Sequence, residues 1–127
     1  MSTFFIADDS MEKILFLRHM LTQAGWAGTV VTAMTTEKAK KLIDAHPDIV
    51  AAFIDYYIPS ENGPSVIRYL KNACPAARIA LVSSADNSDN NARAKAAGAE
   101  ATICTTHRSD IVMKEVLDLL EYWRTVL

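Results

Sequence analysis

Short apolar, β-rich runs alternate with helical periodicity five times along this chain, and that alternation restricts the possible folds more than any other feature. The runs are Thr3–Ala7, Thr29–Ala33, Ile49–Ile54, Arg78–Val82 and Ala101–Cys104. Helical stretches follow at about Met11–Ala24, Glu37–Ala45, Pro64–Asn72, Ser88–Ala97 and Ser109–Arg124. Strands separated by helices cannot pair as hairpins; they pair in parallel through right-handed crossovers. Phe4-Phe5-Ile6 and Ile49–Ile54 are apolar without alternation, as strands covered on both faces should be. The expectation is one α/β domain, a doubly wound (βα)5 unit with a five-stranded parallel sheet, and 127 residues are enough to bury its core.

The punctuation agrees. Asp9 or Ser10 can cap the first helix, Gly25 can end it, and Gly98 can end the fourth. Pro64 suits a first helical turn, where its missing N–H does no harm. On the last helix Val112, Val116, Leu119, Leu120 and Trp123 form a core stripe, and on the first Phe16, Leu17, Met20, Leu21 and Ala24 do the same. Ile111, Met113, Leu117 and Tyr122 fall off the first of these stripes, and Met11, Ile14 and Leu15 off the second. One of those two faces is a candidate surface for a partner or a second copy. Trp26 reads as packing, and Lys38, Lys40 and Lys41 as a solvated helix face.

Composition excludes several classes. A net charge of −2 leaves no broad basic surface for nucleic acid. No run approaches the roughly 20 apolar residues of a membrane span, and no signal peptide is evident. Cys74 and Cys104 read as free, mostly buried thiols of a cytoplasmic protein, and His19, His46 and His107 lack the spacing of zinc ligands.

In doubly wound sheets the functional crevice lies past the carboxyl ends of the strands. There the chain reads Asp8-Asp9-Ser10, Asp55-Tyr56-Tyr57-Ile58-Pro59, Ser83-Ser84-Ala85 and Thr105-Thr106. Three converging carboxylates repel one another unless a cation sits among them, and a hard divalent ion such as Mg2+ suits oxygen donors. The same ion offsets the charge clash when a carboxylate attacks a phosphoryl donor, so one of these carboxylates could serve as a nucleophile and Ser83 as a hydroxyl that can bond a phosphoryl oxygen. Plainer readings stand beside this one. Asp9-x-x-Glu12 fits a capping box, and Asp55, Pro59 and Gly63 can be turn residues. Asp8, at the end of a buried strand, has no such explanation.

From end to end the chain resembles the receiver domain of two-component response regulators. The resemblance rests on Phe4-Phe5-Ile6-Ala7-Asp8-Asp9-Ser10, on Phe53–Pro59 with Gly63, on Leu81-Val82-Ser83-Ser84-Ala85 and on Ala97-Gly98-Ala99. It implies flavodoxin-like strand order 2-1-3-4-5. Asp55 would be the phosphoacceptor, Asp8, Asp9, Asp55 and the backbone carbonyl of Tyr57 would hold Mg2+, and Ser83 would be the switch hydroxyl. The expected partners are a histidine kinase or phosphotransfer protein and a downstream protein target, with a homodimer possible. The chain would be a signalling module, not an enzyme, and with no output domain it would signal through its surface.

One departure matters. Receivers usually end the fifth strand with Lys-Pro, the Lys pairing with the phosphoryl group, and here Thr105 and Thr106 stand there. Thr102 stands where the family tends to place an aromatic switch residue. The pocket therefore reads as one cation short, and His107 and Arg108, just beyond, are expected to point to solvent. Two functions follow: a phosphorylatable receiver with altered switching, or a receiver-like interaction module that works without phosphorylation. A flavin mononucleotide protein would be repelled by Asp8-Asp9, and a phosphohydrolase would want an acid where Tyr57 stands.

Overall fold

The computed structural model describes residues 2–127. Five strands, β1 (Thr3–Ala7), β2 (Thr29–Ala33), β3 (Ile49–Ile54), β4 (Arg78–Ser83) and β5 (Ala101–Cys104), alternate with five helices. These are α1 (Met11–Gln23), α2 (Thr36–Ala45), α3 (Gly63–Ala73), α4 (Ser88–Ala97) and α5 (Ser109–Val126). All strand pairs are parallel, in the order β2-β1-β3-β4-β5, as expected.

Because successive strand residues face opposite ways, Phe4 and Ile6 serve one core and Phe5 and Ala7 the other. The first core packs Phe4, Phe53 and Trp123 under α1 and α5, with the Phe53 and Trp123 rings stacked 5.7 Å apart. On the opposite face, Phe5, Ile54, Ile67, Leu70 and Leu81 pack under α2, α3 and α4.

Local details sharpen the expectations. The cap of α1 is Ser10, whose Oγ accepts from the Lys13 N–H at 3.3 Å, so the Asp9 capping box does not form. Asn62 caps α3 ahead of Pro64, and Gly98 follows α4 with a φ of +132° that suits glycine. On α1 the buried residues are Ile14, Leu17, Met20 and Leu21. Ile14 therefore belongs to the core, while Phe16 and Ala24 lie only partly buried at its margin. On α5 Leu119 is likewise marginal, as are Met113 and Leu117. Tyr122 lies beside the Arg78 guanidinium, which is 5.5 Å from the ring centroid, while Met11 and Leu15 on α1 and Ile111 and Val126 on α5 are exposed apolar residues. Cys74 and Cys104 are buried and unbridged. No helix among the described residues is long and apolar enough to cross a membrane.

Candidate functional site

The chain leaves β1 toward β2 on one side and returns to β3 on the other, so a crevice opens where the order reverses. Two backbone hydrogen bonds carry the ladder past the strand ends: Asp8 N–H to the Ala33 carbonyl at 3.0 Å, and Asp55 N–H to the Ala7 carbonyl at 2.9 Å. They set Asp8 and Asp55 side by side. By alternation both side chains share the face of Ile6 and Phe53, beneath α1.

Asp8 is 1% exposed and Asp55 6% exposed. Burial pushes both carboxyls above the usual carboxylate range, against hydrogen bonds and attraction from Lys13 that pull them down. Asp8 Oδ1 accepts from the Ser10 N–H at 2.9 Å, and Asp55 Oδ1 from the Tyr56 N–H at 2.8 Å. Asp9 is exposed and makes no hydrogen bond or ion pair among the described residues. One oxygen from each of the three carboxylates lies within 4.8 Å of the others, the cluster the sequence implied.

The pocket is not short of a cation. Lys13, in the first turn of α1, places Nζ 2.8 Å from Asp8 Oδ2 and 3.2 Å from Asp55 Oδ1, and donates to the Val82 carbonyl at 2.9 Å. Sequence reasoning missed it, although a signal was present. A lysine in the first turn of a helix opposes the positive end of the helix dipole and calls for nearby negative charge. His107 and Arg108 do face away from the pocket, toward Asp86 at 3.7 Å and Asp110 at 2.9 Å.

Thr105 does not fill the pocket either. Its N–H donates to the Ser83 carbonyl at 2.9 Å and its Oγ1 donates to the same carbonyl at 3.4 Å. Ser83 ends β4, is 2% exposed, and accepts from the Ala85 N–H at 3.3 Å; no hydrogen bond joins it to Asp55 among the described residues. Thr102, on β5, is half-buried and borders a small cavity with Ala85, Asp86 and His107.

The loop after Asp55 is firmly placed. Gly63 comes so close that a Cβ there would lie 2.2 Å from the Asp55 carbonyl oxygen, and its N–H donates to the Tyr56 carbonyl at 2.7 Å. Ser60 takes a φ of +87°, and the Pro59 carbonyl accepts from both the N–H and the Oγ1 of Thr36. Two tyrosines then tie this loop to α4. Tyr57 Oη accepts from Asn90 Nδ2 at 3.1 Å, and Tyr56 Oη accepts from Arg93 at 3.4 Å. The sequence gives no sign of these hydroxyl contacts, because partners this distant along the chain cannot be read from local pattern.

The donor set fits a hard divalent cation. Asp9, Asp55 Oδ2 and the Tyr57 carbonyl accept no hydrogen bond among the described residues, so oxygens remain after Lys13 is accommodated.

The sequence matches the family model described as "Response regulator receiver domain" over residues 4–117. Among the curated proteins, none gives a significant match. Solved structures are similar throughout the chain. A CheY-like response regulator receiver domain protein from Methanospirillum hungatei is 17% identical, with a TM-score of 0.80, covering 100% of this chain and 99% of that one. The phosphorylated cyanobacterial phytochrome response regulator RcpA is 16% identical, with a TM-score of 0.85 and coverage of 99% and 96%. A response regulator from Burkholderia pseudomallei, with a phosphorylated aspartic acid, calcium ion and citrate, is 19% identical, with a TM-score of 0.74 and coverage of 99% and 74%. At such identities these likenesses speak to the fold.

Proposed function

The chain belongs to the response regulator receiver domain family, and on that premise we propose that Asp55 accepts a phosphoryl group from a phosphohistidine of a histidine kinase or phosphotransfer protein. The observation that carries this reading is the placement of Asp55. Its carboxylate is nearly buried at the crevice, with Oδ1 held by the Tyr56 N–H and Lys13 while Oδ2 accepts no hydrogen bond among the described residues. An oxygen held free of hydrogen bonds keeps its lone pairs for attack on phosphorus.

In the transfer a bond forms between an Asp55 carboxylate oxygen and phosphorus. The phosphorus–nitrogen bond of the donor breaks, and its electron pair leaves on the imidazole. Asp8, Asp9, Asp55 and the Tyr57 carbonyl are the residues that would hold Mg2+, which would supply charge compensation for the incoming phosphoryl oxygens. The calcium ion in the Burkholderia protein, which also carries a phosphorylated aspartic acid, supports a divalent cation in this role. Ser83, at the end of the strand beside β3, is the hydroxyl proposed to turn toward the phosphoryl group. The product is a modified protein that signals through contacts with a downstream protein.

Treatment of the purified chain with acetyl phosphate tests this reading by the mobility of the phosphoprotein in a phosphate-affinity gel. A shifted band is expected with Mg2+, and none with EDTA or in Asp55→Asn. An unshifted wild type, beside a control receiver that shifts, would leave the phosphorylation-independent module as the better account.

A further inference from the structure

We propose that Lys13 is the phosphoryl-binding cation of this receiver, delivered to the pocket from the first turn of α1 and not from the end of β5; the inference rests on phosphorylation at Asp55. The ammonium bridges the ends of three strands, at Asp8 Oδ2, Asp55 Oδ1 and the Val82 carbonyl. Its anchor on Asp8 is independent of Asp55, because Asp8 is itself fixed by the Ser10 N–H. Two of the three contacts of Lys13, to Asp8 and to the Val82 carbonyl, therefore do not involve Asp55.

Lys13 engages Asp55 Oδ1, leaving Oδ2 as the oxygen to which phosphorus can bond. A phosphoryl group there would lie across one carboxyl carbon from the ammonium. Lys13 would keep Asp8 and turn another of its donors to a phosphoryl oxygen, giving charge and a hydrogen bond without transferring a proton. As the Asp55 Oδ2–phosphorus bond forms, the phosphorus–oxygen bond of acetyl phosphate, or the phosphorus–nitrogen bond of phosphohistidine, breaks with its electron pair on the leaving group. No other lysine or arginine contacts Asp8 or Asp55 among the described residues.

The approach to the pocket explains why α1 can be the source. Lys13 and Thr105 line one groove of about 300 Å3 between α1 and α5, together with Glu12 and Ser109. The short Thr105 side chain turns to the Ser83 carbonyl and leaves this groove open. A long basic chain at position 105 would enter the space that leads to Lys13, so the two positions are alternative sources of one charge.

The opposing account makes Lys13 only a placeholder that neutralises the carboxylates until a metal arrives. The two accounts differ in sign. Phosphorylation of the full chain by acetyl phosphate in Mg2+ would be timed for wild type, Lys13→Met, Lys13→Arg and the double variant Lys13→Met/Thr105→Lys. Calorimetric titration with Mg2+ and circular dichroism would accompany each. Loss of one charge-assisted hydrogen bond predicts a phosphorylation rate about 10- to 100-fold lower in Lys13→Met. Mg2+ affinity should be equal or higher, and the rate should recover in part with Lys13→Arg and with the double variant. A folded Lys13→Met that is phosphorylated as fast as wild type, or faster, would overturn the proposal. So would a slow rate accompanied by an equal loss of Mg2+ affinity. A wild type that takes no label while a control receiver does would instead overturn phosphorylation at Asp55.

Discussion

Removing Lys13 should cost stability, and by an amount that depends on metal. In Lys13→Met the carboxylates of Asp8 and Asp55 lose the ammonium that touches both. Two unit charges 4.8 Å apart, the outer limit of the cluster, repel by about 3.5 kcal/mol at an effective dielectric of about 20. The Lys13 side chain keeps 16% of its exposure, so water can reach the gap and reduce the penalty to about 2 kcal/mol. Protonation relieves the same repulsion, so the loss should be largest near neutral pH and should shrink as pH falls toward the carboxylate range. Urea unfolding followed by circular dichroism, in EDTA and then in Mg2+, measures the difference. The variant should unfold about 2 kcal/mol more easily in EDTA, with most of that deficit recovered in Mg2+. A deficit below about 0.5 kcal/mol in EDTA, or one that Mg2+ leaves unchanged, would refute the view that Lys13 neutralises a metal-competent acidic pair.

Gly63→Ala should lower stability by about 2 kcal/mol and slow phosphorylation, because its Cβ meets the Asp55 carbonyl at 2.2 Å and must displace the backbone that carries the phosphoacceptor. Thermal unfolding and a timed acetyl phosphate reaction read the two effects, and a variant unaltered in both would contradict this close approach. Asp8 gives a pH signature in EDTA. Its carboxyl is raised by burial above the unfolded value, so the folded state holds protons that the unfolded state releases, and stability falls as pH rises from about 4 through the folded titration. Asp8→Asn should flatten that fall in urea midpoints measured across the window; an unchanged slope would count against it.

Much of this was legible in the sequence because the relevant signals are local. Unbroken apolar runs such as Ile49–Ile54 declare a strand covered on both faces, and strand ends follow from where those runs meet Asp8 and Asp55. The apolar run ends at Val82 while β4 extends to Ser83, since a serine does not look like a strand residue until its neighbours' hydrogen bonds are known. The periodic stripe on α1 leaves out Ile14, which the structure buries, for a different reason. Periodicity fixes the spacing of a buried face but leaves its azimuth uncertain where apolar residues are dense. The pocket's charge balance was the larger miss. Thr105 stands just after β5 where the family places a cation, whereas the cation arrives through space on the four-carbon stem of Lys13. The hydroxyl ties from Tyr56 and Tyr57 to α4 were hidden in the same way, since they join residues 37 and 33 positions apart.

The central claim is that the carboxylate of Asp55, among all those in the crevice, carries the phosphoryl group. Borohydride reduction of the acetyl phosphate-treated chain, followed by peptide mass spectrometry, locates an acyl phosphate directly, because reduction converts the modified aspartate to homoserine. The account predicts that label at position 55 alone, dependent on Mg2+ and absent without the phosphodonor. Label at Asp8 or Asp9, or no label in a folded protein under conditions that modify a control receiver, would contradict it.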